Sequence, residues 1–123
     1  DGSANGKIIE LSFYLKALKL MGWPPSFDSC VDCGKNLEDL DKIYFSPSKG
    51  GIVCSECSTE GSSTLEIDQG LRRSLVKLSE LPQERVKRVR LGKERIMRAF
   101  NILDKFVEYH LRPDRNGPLV SRL

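Results

Sequence analysis

Histidine, tryptophan and methionine are scarce in this sequence, with one His, one Trp and two Met among 123 residues. A single histidine, His110, leaves little room for a Ser/His/Asp relay or a histidine-based metal cage. There is no phosphate-cradling Gly-x-x-x-x-Gly-Lys loop, no dinucleotide fingerprint and no paired acid site. No apolar run approaches the ~20 residues a membrane span needs, and no secretory signal pattern opens the sequence. Internal repeats, heptads and long low-complexity tracts are also missing. These absences point away from an enzyme or a membrane protein and towards a binding module of the cytoplasm.

What remains is the composition of an ordinary domain, with 39% apolar and 30% charged residues. The net charge of +3 hides an asymmetry. Residues 1–69 hold six Lys and Arg against eleven Asp and Glu, whereas residues 70–123 hold fourteen against six. Such a split suggests a polyanion-facing surface in the second half, or else two halves that attract each other.

The small, polar opening Asp1 to Gly6 reads as a flexible lead-in over residues 1–7, and an Asp at position 1 is expected for a piece of a longer protein. A helix is predicted from about Ile8 to Met21, because Ile8, Leu11, Leu15, Leu18 and Met21 step by three or four. Ile9, Phe13, Ala17 and Leu20 widen that face, so burial on more than one side is expected, against a partner or an absent domain. Gly22 and Pro24-Pro25 end the helix. Trp23 at this corner reads as a core anchor, with recognition as the alternative. Strand-like Ile43-Tyr44-Phe45 and Ile52-Val53 flank Ser46 to Gly51 and predict a hairpin. Ser58 to Ser63 reads as a linker. The next helix is capped either at Ser63, with capping-box spacing to Glu66, or at Asp68. It runs to about Leu78, turning Leu71, Leu75 and Leu78 inward and Arg72, Arg73 and Lys77 outward. After the Leu81-Pro82 break, a last helix spans about Lys93 to Leu111, with Ile96, Phe100, Leu103, Val107 and Leu111 at core spacing. The fold class is therefore mainly α: residues 8–123 form a single helical domain with an inserted tetracysteine zinc ribbon and β-hairpin at 28–58.

The four cysteines lie within 28 residues as two Cys-x-x-Cys pairs, Cys30/Cys33 and Cys54/Cys57, with 20 residues between them. A two-residue gap lets both sulfurs of a knuckle reach one ion, and two knuckles complete a tetrahedron. Gly34 follows the first knuckle, where a tight turn favours a residue without Cβ. Disulfides would suit a secretory signal that is not seen, and a redox pair needs only one Cys-x-x-Cys. A rubredoxin-like iron fits the ligands without its usual context. One structural Zn2+ is the expected cofactor, supplying much of the local folding energy of residues 28–58. Four protein ligands leave no open position for catalysis, and a ligand role for His110 is not needed.

Between residues 85 and 98 stand Arg85, Lys87, Arg88, Arg90, Lys93, Arg95 and Arg98, opposed inside the run only by Glu94. They are candidate nucleic-acid contacts with salt-sensitive, largely sequence-independent binding, or a solvated face. No aromatics interleave with them, so no base-stacking platform is evident in this segment.

The order of these pieces resembles one family closely. A helix ends in a Gly-Trp-Pro corner and leads to Cys30-Val31-Asp32-Cys33-Gly34. A hairpin follows, from Phe45-Ser46-Pro47 to Gly50-Gly51-Ile52-Val53-Cys54-Ser55-Glu56-Cys57. Two helices come next, the last ending Phe106-Val107-Glu108-Tyr109-His110-Leu111, before the tail Leu119 to Leu123. This is similar to the C-terminal region of RecO, the bacterial recombination mediator. The resemblance implies a lost N-terminal OB fold and a nucleoid-associated cytoplasmic location. Its implied partners are single- and double-stranded DNA, RecR and the C-terminal tail of single-strand-binding protein. The family's Lys-Ser pair near its end is replaced here by Val120-Ser121. A protein-interaction adaptor with no direct nucleic-acid contact is the alternative, and a ribbon module of unrelated transcription or translation factors is a third.

Overall fold

A computed structural model describes residues 2–58 and 63–110. In chain order it contains α1 (Gly2–Leu20), β1 (Ile43–Ser46), β2 (Gly51–Cys54), β3 (Leu65–Ile67), α2 (Gln69–Glu80), the single turn α3 (Gln83–Val86) and α4 (Lys93–His110).

Helix α1 starts at Gly2, within the stretch 1–7 that the sequence marked as a lead-in. The turn anchored from Ile8 onward propagates backwards, each added residue closing one more hydrogen bond. Lys7 helps, pairing with Glu10 and lying 5.8 Å from the centre of the Phe100 ring. At its other end α1 closes in a Schellman motif. Gly22, at φ +81°, donates to the Lys19 carbonyl and Trp23 donates to that of Leu18, so orphan carbonyls are satisfied. Ile8, Leu11, Leu15 and Leu18 are buried as expected. Met21 is not, because it falls beyond the last helical turn. The wider face is open as well: Phe13, Ala17 and Leu20 are exposed and only Ile9 is half-buried. Trp23 is 44% exposed, which corrects its assignment as a core anchor.

The hairpin forms as predicted, pairing Ile43 with Cys54 and Ser46 with Gly51. A third strand, β3, pairs antiparallel on the far side of β1, with Phe45 opposite Leu65 and Ile43 opposite Ile67, giving the order β2-β1-β3. It occupies the place of the candidate capping box at 63–66. Helix α2 is instead capped by Asp68, whose carboxylate accepts from the Leu71 N–H at 2.7 Å. Of the predicted linker, residues 59–62 lie outside the described residues.

The core is continuous across helices and sheet. Leu71, Leu75 and Leu78 of α2 meet Ile8, Leu11 and Leu15 of α1 and Ile96, Ala99, Ile102, Leu103 and Phe106 of α4 in one buried cluster with Leu37, Phe45 and Ile52. Phe45 joins the layers, its ring 6.1 Å from Phe27 and 6.4 Å from Phe106. Phe100 and Val107 only half-bury, because Ala99, Ile102 and Phe106 point inward between them. Leu111 and the tail 119–123, Val120-Ser121 included, lie outside the described residues.

Arg72 overturns its outward assignment. It is 4% exposed, with Nη1 donating to the Phe27 carbonyl at 3.0 Å, Nε to Gln69 at 2.7 Å and Nη2 to the Glu38 carboxylate. A buried guanidinium is tolerable only when its donors are used in this way. Arg72 thereby fastens the loop before β1 to α2.

Candidate metal centre and basic surface

The four cysteines reach one point through backbone pairing rather than through their own chemistry. Residues 26–31 run beside β2: Ser26 donates to Gly50, Ile52 to Ser26 and Val31 to Ile52, all at 2.9–3.0 Å. The approach is so close that a Cβ on Gly51 would sit 2.6 Å from the Ser26 carbonyl oxygen and from Val31 Cγ1. Only glycine fits there. Cys30 is thereby laid against Cys54, whose N–H points at Cys30 Sγ at 3.5 Å. Each pair then folds over in a matching turn. Gly34 donates to the Cys30 carbonyl at 2.8 Å, with φ +78° at the glycine, and Ser58 donates to the Cys54 carbonyl at 3.0 Å. Lys35 to Glu56 at 2.9 Å ties one knuckle to the other, and Lys49 pairs with Asp32 at the rim.

All four Sγ atoms lie within 4.8 Å of one another, and those of Cys33 and Cys54 are 3.8 Å apart. Cys30 and Cys54 are buried, Cys57 is half-buried and Cys33 is exposed. Their acidities diverge. Burial pushes the Cys30 thiol up, but the N–H groups of Cys33, Cys54 and Asp32 outweigh it and bring it to about 6. Cys57 is pushed up to about 12, by burial first and then by the sulfurs of Cys30, Cys54 and Cys33. At Cys33 the Lys35 N–H favours the thiolate, yet the Cys30 sulfur and burial win and its pKa is raised. Four thiolates this close repel one another unless a cation sits among them. The cluster can hold a metal ion. His110 is not part of it: its Nε2 lies 2.6 Å from the Pro47 carbonyl oxygen.

The seven cations of the basic run separate into two groups. Arg95 binds Asp68 at 2.9 Å, and Arg98 donates to the Glu66 carbonyl at 2.8 Å. Both line a mixed-charge cleft with Asp41 and Glu94. Arg85, Arg88 and Arg90 instead rim another cleft of about 500 Å³, floored by Leu81 and Val89. Lys77 from α2 joins them there, a residue that the sequence assigned only to an outward face. Lys87 and Lys93 are exposed but do not line it. Among the described residues, none of Lys77, Arg85, Lys87, Arg88, Arg90 and Lys93 has a carboxylate partner. The idea that the acidic and basic halves attract each other holds for Arg72 and Arg73, both bound to Glu38, and for Arg95. It fails for the 85–90 stretch.

Comparison with known proteins follows the same lines. A family model described as the recombination protein O C terminal matches residues 1–117. The chain is similar to the DNA repair protein RecO of Desulfatibacillum aliphaticivorans, 32% identical over 105 residues, covering 84% of this chain and 41% of that protein. It is likewise 32% identical over 107 residues to the DNA repair protein RecO of Caldanaerobacter subterraneus subsp. tengcongensis, covering 87% of this chain and 42% of that protein. It therefore spans about two fifths of the length of these curated relatives. No solved structure matches it significantly.

Proposed function

This chain belongs to the recombination protein O C-terminal family, and from that premise we propose that it is a zinc-stabilised binding module of a DNA repair and recombination mediator rather than an enzyme. Zinc suits the four sulfurs: at ~2.3 Å per Zn–S bond, a tetrahedron has S···S edges of about 3.8 Å. The Cys33–Cys54 separation has that length. With Cys30, Cys33, Cys54 and Cys57 as ligands, the metal would crosslink the knuckles and leave no position for water.

The observation that carries the nucleic-acid reading is the lack of carboxylate partners, among the described residues, at Arg85, Arg88, Arg90 and Lys77, which line one cleft; Lys87 is exposed nearby in sequence. Uncompensated cations around one cleft repel each other unless an anion is bound, and phosphates are the anion a DNA repair protein meets. Single- and double-stranded DNA are both candidate ligands. Lys93 is exposed but does not line the cleft, whereas Arg95 and Arg98 hold α4 to the α2 cap and β3. The apolar floor of Leu81 and Val89 favours a second reading, in which the cleft docks an acidic peptide with an apolar anchor, such as the tail of single-strand-binding protein. RecR is a further candidate partner.

Anisotropy of a labelled single-stranded oligonucleotide, titrated at several salt concentrations, separates the readings. Contact with phosphates predicts steep salt dependence. It also predicts that Arg85→Glu, Arg88→Glu and Arg90→Glu together flatten the log–log slope by about 2, from three contacts at ~0.7 each. An absence of binding even at low salt would leave a protein adaptor.

A further inference from the structure

Trp23 is the chain's only tryptophan, and it lies against the only histidine. The ring centres of Trp23 and His110 are 5.7 Å apart, and those of Tyr109 and His110 are 5.1 Å apart. Phe106, which is buried, backs the histidine at 4.8 Å. Trp23 and Tyr109 are 44% and 59% exposed, so two of the three rings in this row face water.

The middle of the row is anchored to the sheet hairpin and one end to the α1 cap. His110 is fixed by its 2.6 Å contact with the Pro47 carbonyl oxygen, for which Nε2 must carry the proton. The backbone of Trp23 is fixed by its amide N–H, which donates to the Leu18 carbonyl in the helix cap, and by the Pro24-Pro25 pair that follows, whose second ring is buried. Lys105 stands one helical turn before Tyr109 on the same side of α4. Lys19, in the last turn of α1, instead lines a separate cleft with Asp28 and Glu80. Lys105 has no ion-pair partner among the described residues.

We propose that the Trp23–His110–Tyr109 row is a stacking site for the unpaired bases of a single nucleic-acid strand, with Lys105 placed for an adjoining phosphate. The proposal rests on the nucleic-acid reading above and adds a second contact, at the opposite end of α4 from the basic cleft. Exposed rings take any base, because every base has a π face, and a cation beside the rings favours the polyanion that carries those bases. A purely structural ring row would be expected to bury its outer members, which this one does not.

Because Trp23 is alone in the chain, its fluorescence reports on this site and no other. A thymine oligonucleotide should quench Trp23 in parallel with the anisotropy change, whereas an abasic strand of equal length, or a duplex, should not. Tyr109→Ala, at an exposed position, should weaken binding roughly tenfold while leaving metal content and melting temperature unchanged. Trp23→Phe should keep most of the affinity that Trp23→Ala loses. If anisotropy reports binding that depends on Arg85, Arg88 and Arg90 while Trp23 emission stays constant, the stacking site is wrong and the basic cleft stands. Equal quenching by the abasic strand, or by an acidic peptide, would also overturn it. If neither signal appears at low salt, both readings fall.

Discussion

Phe45 and Cys33 belong to the same excursion between α1 and α2, yet different forces hold them. Phe45 is completely buried, touching Phe27 on one side and Phe106 of α4 on the other. Cys33 is exposed, as are its neighbours from Asp32 to Asn36, and Ser55 and Glu56 of the second knuckle are exposed too. The inner part of the ribbon is therefore an extension of the helical core and is stabilised by removing apolar surface from water. The outer part buries almost nothing except two cysteines, Cys30 and Cys54. On the proposed zinc reading, the metal is needed only at the tip, where burial runs out.

Substitution at the tip should have the largest effect. Cys54→Ser is expected to release the metal and cost several kcal/mol, since structural zinc in small modules contributes on the order of 10 kcal/mol. Amide exchange should then rise most at residues 30–36 and 54–58. Equal loss of protection throughout α2 and α4 would merge the two regions. Within the core, Leu75→Ala in α2 should cost about 2–5 kcal/mol by urea denaturation and leave metal content at its original value. A parallel loss of metal would show that the knuckles lean on the helices more than their exposure suggests.

Arg72 is the link between the regions. Arg72→Met keeps the length of the side chain but strands the Phe27 carbonyl, at a cost of about 1–3 kcal/mol. Arg72→Lys should not rescue it, because one ammonium cannot reproduce donations to Phe27, Gln69 and Glu38 together. Full rescue by lysine would reduce the clamp to a simple charge effect.

The smallest effect is expected at Asp68. Asp68→Ala removes the α2 cap and should cost about 1 kcal/mol, with Asn retaining most of it. Burial raises the Asp68 carboxyl, but the Leu71 N–H and then Arg95 outweigh it, so its folded pKa lies below the ordinary value. Its stabilisation is therefore complete above the unfolded carboxyl value near 3.8 and is lost as pH falls through the lower folded value. Acid unfolding of Asp68→Asn should lack that component, and an unchanged acid limb would contradict it.

How far each feature could be read from the sequence follows the distance over which it is encoded. The cysteine pairs, the Gly34 turn, the hairpin and the Asp68 cap are all set by residues a few positions apart. Strand β3 escaped because Leu65–Ile67 is only three residues long and is recruited by Ile43–Phe45, some 20 positions earlier. Arg72 was misplaced for the same reason: nothing near it in sequence announces Phe27 and Glu38 as its partners. The basic run looked uniform, since only folding brings Asp68 and the Glu66 carbonyl to Arg95 and Arg98 and leaves Arg85 to Arg90 unmatched. Leu20 and Phe13 fit a wide apolar face by periodicity, but no element among the described residues covers them.

The most direct test of a metal-held tip on a burial-held body is elemental analysis of the purified chain before and after a strong chelator, with amide exchange followed residue by residue. One zinc per chain is predicted, lost on chelation together with protection at 30–36 and 54–58, while α2 and α4 keep theirs. A chain purified without metal, with four free thiols and a fully protected ribbon, would contradict the account.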